Sequence, residues 1–180
     1  ANANVPGFPM GQHLLAQSQQ ESGGRDDVVH KGKLEKGFPP IGRHGIYPTT
    51  AMDTPYFRDL ASKGEITNLD QVAEALKDPR VNTIVAAQYA AWLHKQLSKH
   101  PLVGKWAKSN VIQRRRDFAD LVTGSHNFGI GNMNNLLKKM PDNAEMSDIM
   151  DYLGESMIPN EEQLESHITG YRKYRKDRRK

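Results

Sequence analysis

Apolar positions along the chain recur at helical rather than strand spacing, and the punctuation between them divides it into short helices. Pro9 suits a first helical turn, with helix through Leu14 and Leu15 to about Gln20 and a stop at Gly23-Gly24. Between Arg25 and Thr54, Gly32, Gly37, Pro39-Pro40, Gly42, Gly45 and Pro48 forbid a long helix. An irregular lobe is expected there, with short strands near 27–29 and 45–47. Helical signals resume near Pro55, and Asn68 reads as the N-cap of a helix over 69–76. The clearest element is Pro79–Leu97, where Val81, Ile84, Val85, Gln88, Tyr89, Trp92, Leu93 and Leu97 form one broad face before Pro101. Further helices are predicted over 110–122, 132–140, 145–153 and 161–174, with a Gly-rich turn over 124–131. The fold class is therefore α+β and predominantly α-helical, with a small irregular lobe after the first helix. One domain over 1–170 and a basic tail over 171–180 are expected.

Composition adds exclusions. The chain has 180 residues, 37% of them apolar, enough for one core. No apolar run approaches the roughly 20 residues of a membrane span. With no cysteine, disulfides, thiolate zinc sites and cysteine nucleophiles are excluded. The opening Ala1-Asn2-Ala3-Asn4 suits the mature end of a secreted protein, a leader having been removed or the chain trimmed. The net charge of +4 misleads, because Tyr171 to Lys180 alone carry +6 and leave the first 170 residues at −2. Such a tail reads as a solvated, partly helical end, or as a contact for an anionic wall polymer or membrane surface. Nucleic acid is not expected, since the body is acidic and only Tyr171 and Tyr174 interleave the tail.

Most familiar chemistry is missing. None of the seven histidines pairs at the i, i+4 metalloprotease spacing, no phosphate loop is present, and Ser22 and Ser125 lack a nucleophile elbow. Glu21-Ser22-Gly23-Gly24 stands out at the end of a short helix, just before the irregular lobe. A carboxylate facing a cleft between lobes is partly desolvated, which favours its protonated, donating form. The competing reading is a solvated helix terminus.

Three further segments bring in a family. Gln20-Glu21-Ser22 resembles the helix-ending Glu-Ser of the lytic transglycosylases of the goose-lysozyme-like superfamily, the soluble-lytic-transglycosylase type. Gly45-Ile46-Tyr47-Pro48-Thr49-Thr50-Ala51 is similar, in shortened form, to that family's Gly-Leu-Met segment leading into Pro-x-Thr. Leu76, Asp78, Pro79, Asn82, Ala86, Tyr89 and Leu93 match its Leu-x-Asp-Pro-x-x-Asn motif and the helix after it. His126-Asn127-Phe128-Gly129-Ile130-Gly131 resembles its Tyr-Asn-x-Gly-x-Gly, with His126 in place of the Tyr. The resemblance covers about residues 10–140. The chain departs from it in lacking a Gln before Pro48 and in the longer loop between Glu21 and Gly45.

The resemblance implies a lysozyme-like fold and cleavage of the β-1,4 bond between N-acetylmuramic acid and N-acetylglucosamine in peptidoglycan strands. Glu21 would act as the single acid and base, closing a 1,6-anhydro ring on the muramic acid without water, metal or cofactor. A periplasmic, secreted or phage-virion location and a monomer are implied. Ser22 would orient the substrate N-acetyl group or Glu21; its plainer role is a helix-end hydrogen bond. Tyr47 would line the sugar cleft or the core, and Asn127 would bond sugar or hold the turn. His126 would be a polar wall or an exposed loop residue, and Tyr89 core or substrate contact. Asp78 and Asn82 read as structural, and Trp92 and Trp106 as core. Asp26, Asp27 and Asp53 are the acids near enough in sequence to serve as a second carboxylate, and are expected to be loop residues. A hydrolysing lysozyme and a non-catalytic wall-binding or scaffold module remain the alternatives.

Overall fold

A computed structural model describes residues 5, 8–26, 28–30, 34–155, 161, 162, 164–166, 168–170 and 172. The chain packs as two compact units, Ala1–Ala91 and Trp92–Lys180. It is predominantly α-helical, and its β content among the described residues is three isolated antiparallel bridges, Val29 with Ile41, Glu35 with Phe38 and Ile41 with Ile46.

The first unit begins with α1 (Met10–Ser22), running on from Pro9. After the irregular lobe come α2 (Pro48–Met52), α3 (Pro55–Ser62) and α4 (Leu69–Ala75), then α5 (Pro79–Leu97), which continues into the second unit. Pro48 and Pro55 open their helices where a missing N–H costs nothing. The Asn68 side chain caps α4 by accepting from Gln71 N at 3.0 Å. Asp78 does the same for α5, accepting from Arg80 N at 2.7 Å and Val81 N at 3.2 Å. The core joins Ile41 and Ile46 of the lobe to Ala51, Phe57, Val72, Leu76, Val85 and Ala86. The strands expected near 27–29 and 45–47 shrink to the single bridged residues Val29 and Ile46, because both pair with Ile41 between them.

The second unit holds the rest of α5, α6 (Gly104–Ala107), α7 (Ile112–Phe128), α8 (Ile130–Leu137) and α9 (Met146–Glu155). The described residues of 161–172 are helical. Its core includes Leu97, Trp106, Phe118, Leu121, Met133, Leu137, Ile149, Leu153 and Ile168. The Gly-rich turn expected over 124–131 contracts to Gly129 at φ 81°, with α7 running straight through Gly124. Within that helix Gly124 leaves room for its neighbours: a β-carbon there would lie 2.6 Å from Leu164 Cδ1 and 3.2 Å from Ile168 Cγ1. The apolar face of α5 is narrower than its sequence suggests. Ile84 and Trp92 are 44% and 43% exposed, so Trp92 is not the core residue expected, whereas Trp106 is. Each follows a buried residue, Asn82 or Ala90, by two positions, a rotation of about 200° around the helix.

Candidate active site

The last turn of α1 carries Glu21 and Ser22. Gly23 (φ 64°) and Gly24 (φ 82°) end the helix in the left-handed region and return their N–H groups to the carbonyls of Gln19 and Ser18. Ser22 is buried and its hydroxyl donates to Ser18 O at 3.0 Å, the helix-end role. Arg25 Nε donates to Ser22 O at 3.1 Å and Arg43 Nη2 to Gly24 O at 3.4 Å. Arg43 is itself held by Asp26 at 2.6 Å. Two guanidinium groups thus sit at the negative end of α1. A carboxylate there runs against the helix dipole.

The lobe brings a tight turn to this carboxylate. Ile41 and Ile46 exchange both backbone hydrogen bonds at 3.0 Å, and Gly45 N closes the turn on Gly42 O at 3.0 Å. Gly42 (φ 74°) and Gly45 (φ 57°) adopt backbone conformations that side chains resist. Asn82, fully buried on α5, fastens the turn. Its Nδ2 donates to Ile41 O at 2.9 Å and Leu76 O at 3.2 Å, and its Oδ1 accepts from His44 N at 3.0 Å. Gln17 Nε2 ties α1 to the same turn through His44 O at 3.5 Å. A β-carbon on Gly45 would stand 3.3 Å from Glu21 Oε2 and 3.5 Å from His30 Nε2, so carboxylate and imidazole approach the same face of this glycine. His30 escaped the sequence reading because it follows no motif; the unbroken glycine at 45 was the available signal.

Tyr47, which precedes α2, and Tyr89, on α5, are both half-buried. Burial, with the charges of Glu35 and Glu21, raises the Tyr47 phenol above its ordinary range. Burial and Glu35 push Tyr89 up to about 12. Both phenols therefore stay protonated, able to donate and accept, at any working pH. Glu35 is a carboxylate that sequence reasoning missed. It is exposed and paired with Phe38 across a two-residue loop, Lys36 (φ 49°) and Gly37 (φ 87°), the left-handed pair that a tight hairpin requires. Of the acids weighed as a second carboxylate and expected to be loop residues, Asp26 and Asp53 lie outside helices, paired with Arg43 and, at 3.2 Å, with Arg58, while Asp27 lies outside the described residues.

The structure thus gathers Glu21, Ser22, Tyr47 and Tyr89 into the first unit. His126 and Asn127 belong to the second. They occupy the last turn of α7 rather than a loop; His126 is half-buried, and the Asn127 side chain lies outside the described residues. Among the described residues, no three His, Asp or Glu side chains converge in a metal-binding arrangement. No helix among them is long and apolar enough to cross a membrane. No family model, curated protein or solved structure matches the chain.

Proposed function

We propose that this protein is a peptidoglycan lytic transglycosylase with a lysozyme-like fold, acting outside the cytoplasm or within a phage virion. One observation carries the reading. Three segments far apart in sequence, 20–22, 45–51 and 76–93, meet in one unit: Glu21 lies near Gly45, and Asn82 anchors the turn that carries Gly45. These are three of the four segments that resemble the family.

Glu21 donates its proton to the glycosidic oxygen as the bond to the leaving sugar breaks. The substrate's N-acetyl carbonyl supports the developing positive charge, so no second carboxylate is needed as a nucleophile. Glu21 then takes the proton from the muramic acid O6 hydroxyl, which closes the 1,6-anhydro ring. Proton transfer of this kind contributes about 10²–10⁴ in rate. Tyr47, held protonated and within the field of Glu21, offers a phenolic hydrogen bond near the acid, and Tyr89 a second phenol in the same unit.

Sacculi digested with the protein and analysed by mass spectrometry test this directly. Expected are products one water lighter than reducing muropeptides, abolished by Glu21→Gln in a variant that melts like the parent. Retained activity in Glu21→Gln overturns the reading. A hydrolysing lysozyme is the second reading, favoured by the field of Glu35 on both tyrosines. It requires reducing-end products and loss of activity in Glu35→Gln.

A further inference from the structure

The carbonyl of Gly42 accepts two hydrogen bonds, from Gly45 N at 3.0 Å across the turn and from His30 Nε2 at 2.9 Å from outside it. A carbonyl only accepts, so Nε2 of His30 carries a proton, which defines the tautomer of the neutral ring. The backbone of the same segment grips the same chain: Gly42 N donates to Val28 O at 2.8 Å, and His30 N to Pro40 O at 3.0 Å. Segment 28–30 therefore braces 40–42 through both backbone and side chain. The object braced is the turn whose Gly45 stands near Glu21 Oε2, with the His30 ring approaching the same face of that glycine.

We infer that His30 is a positioning residue for Glu21: its Nε2–H bond to Gly42 O holds the 42–45 turn, and with it the Gly45 wall against which the carboxylate rests. The inference rests on the proposed role of Glu21 for its catalytic meaning, while its geometric content stands by itself. A leucine at position 30 keeps bulk and loses the donor. A glutamine keeps an N–H near the position of Nε2 and loses the imidazole. Misplacement of a catalytic group by about 1 Å costs up to about 10²-fold in rate. A loosened turn acts on orientation and leaves remote sugar contacts alone, so the loss falls on kcat.

The test uses the full chain with His30→Leu and His30→Gln. The carboxyl-carbon NMR chemical shift of Glu21 is compared between parent and variants at one pH, together with kcat and KM on soluble peptidoglycan strands. Expected in His30→Leu are a displaced Glu21 signal and a kcat reduced about 10- to 100-fold at unchanged KM, with both largely restored in His30→Gln. A Glu21 signal in folded His30→Leu that superimposes on the parent's overturns the inference. So does parental kcat in that variant. If the leucine variant does not fold, Gly45→Ala tests the contact between the turn and the carboxylate directly. Its methyl would stand 3.3 Å from Glu21 Oε2, and an unshifted Glu21 signal there also overturns the inference. A protein that cleaves no glycan in any form defeats the transglycosylase reading, and the NMR comparison then decides the positioning role.

Discussion

Asn82→Ala removes the side chain that fastens the lobe to α5, and its cost follows from the bonds it makes. Three buried hydrogen bonds disappear, two donated by Nδ2 and one accepted by Oδ1. Ile41 O keeps its bond from Ile46 N at 3.0 Å and suffers least. Leu76 O and His44 N belong to residues 0% and 2% exposed, so water does not readily replace Asn82 there. A buried polar group deprived of its partner costs about 1–3 kcal/mol, and the space vacated by a fully buried side chain adds to this. The expected loss is about 3–5 kcal/mol by urea denaturation followed by circular dichroism. For a chain of this size that lowers the melting temperature by roughly 10 °C or more. Gly42 shows how closely Asn82 is fitted, since a β-carbon there would lie 2.6 Å from Asn82 Cγ and 2.9 Å from Leu76 O. A loss below about 1 kcal/mol, the scale of one ordinary hydrogen bond, would refute the view that Asn82 anchors the lobe.

Burial holds the His94 imidazole, edge-on to Phe118 at 5.0 Å, below its ordinary value of 6.5, and burial with Lys138 does the same to His100. The folded state therefore favours the neutral rings: stability is full above pH 6.5 and is lost as the pH falls through the lowered values. Melting temperatures falling below pH about 6.5, with a shallower fall in His94→Leu, are expected, and identical pH profiles for parent and variant would contradict this. Arg172 donates to Asp120, whose side chain is 0% exposed, at 2.6 Å, and to Asp117 at 3.3 Å. Arg172→Met removes charge-assisted hydrogen bonds to two buried carboxylates and is expected to cost about 1.5–3 kcal/mol in urea denaturation; an unchanged midpoint would refute the pairing's weight. The basic stretch is thus tied to the second unit at Arg172, so a chain ending there should fold like the parent yet bind sacculi less well at low salt. Equal binding by the two forms would remove the rest of the tail from any role in wall attachment.

How much of this was legible beforehand varies by element. Short-range signals were reliable: Pro79 and Pro101 bracket α5, Asn68 caps α4, and Gly23-Gly24 stop α1, because each acts through its own backbone within a turn or two. The same locality made Glu21 visible, as a carboxylate at the end of its own helix just before a Gly pair, and Asp78 as a residue near a helix start. Long-range packing was not legible. Gly124 looks like a turn residue until Leu164 and Ile168 are set against it, when it becomes a helical position that leaves room for them. Trp92 fits the spacing of the apolar face and is nonetheless 43% exposed, because periodicity gives a direction around the helix but not the width of the core beneath. Ile41, which pairs with both Val29 and Ile46, carries no strand pattern, since single bridges have no period to read. Glu35 and His30 followed no motif; a tight hairpin and a shared carbonyl bring their charge and their donor to the site. Local chemistry therefore determined the helices and the acid at the end of α1. The surroundings of that acid were decided by tertiary structure, because they depend on hydrogen bonds between residues 12 to 41 positions apart.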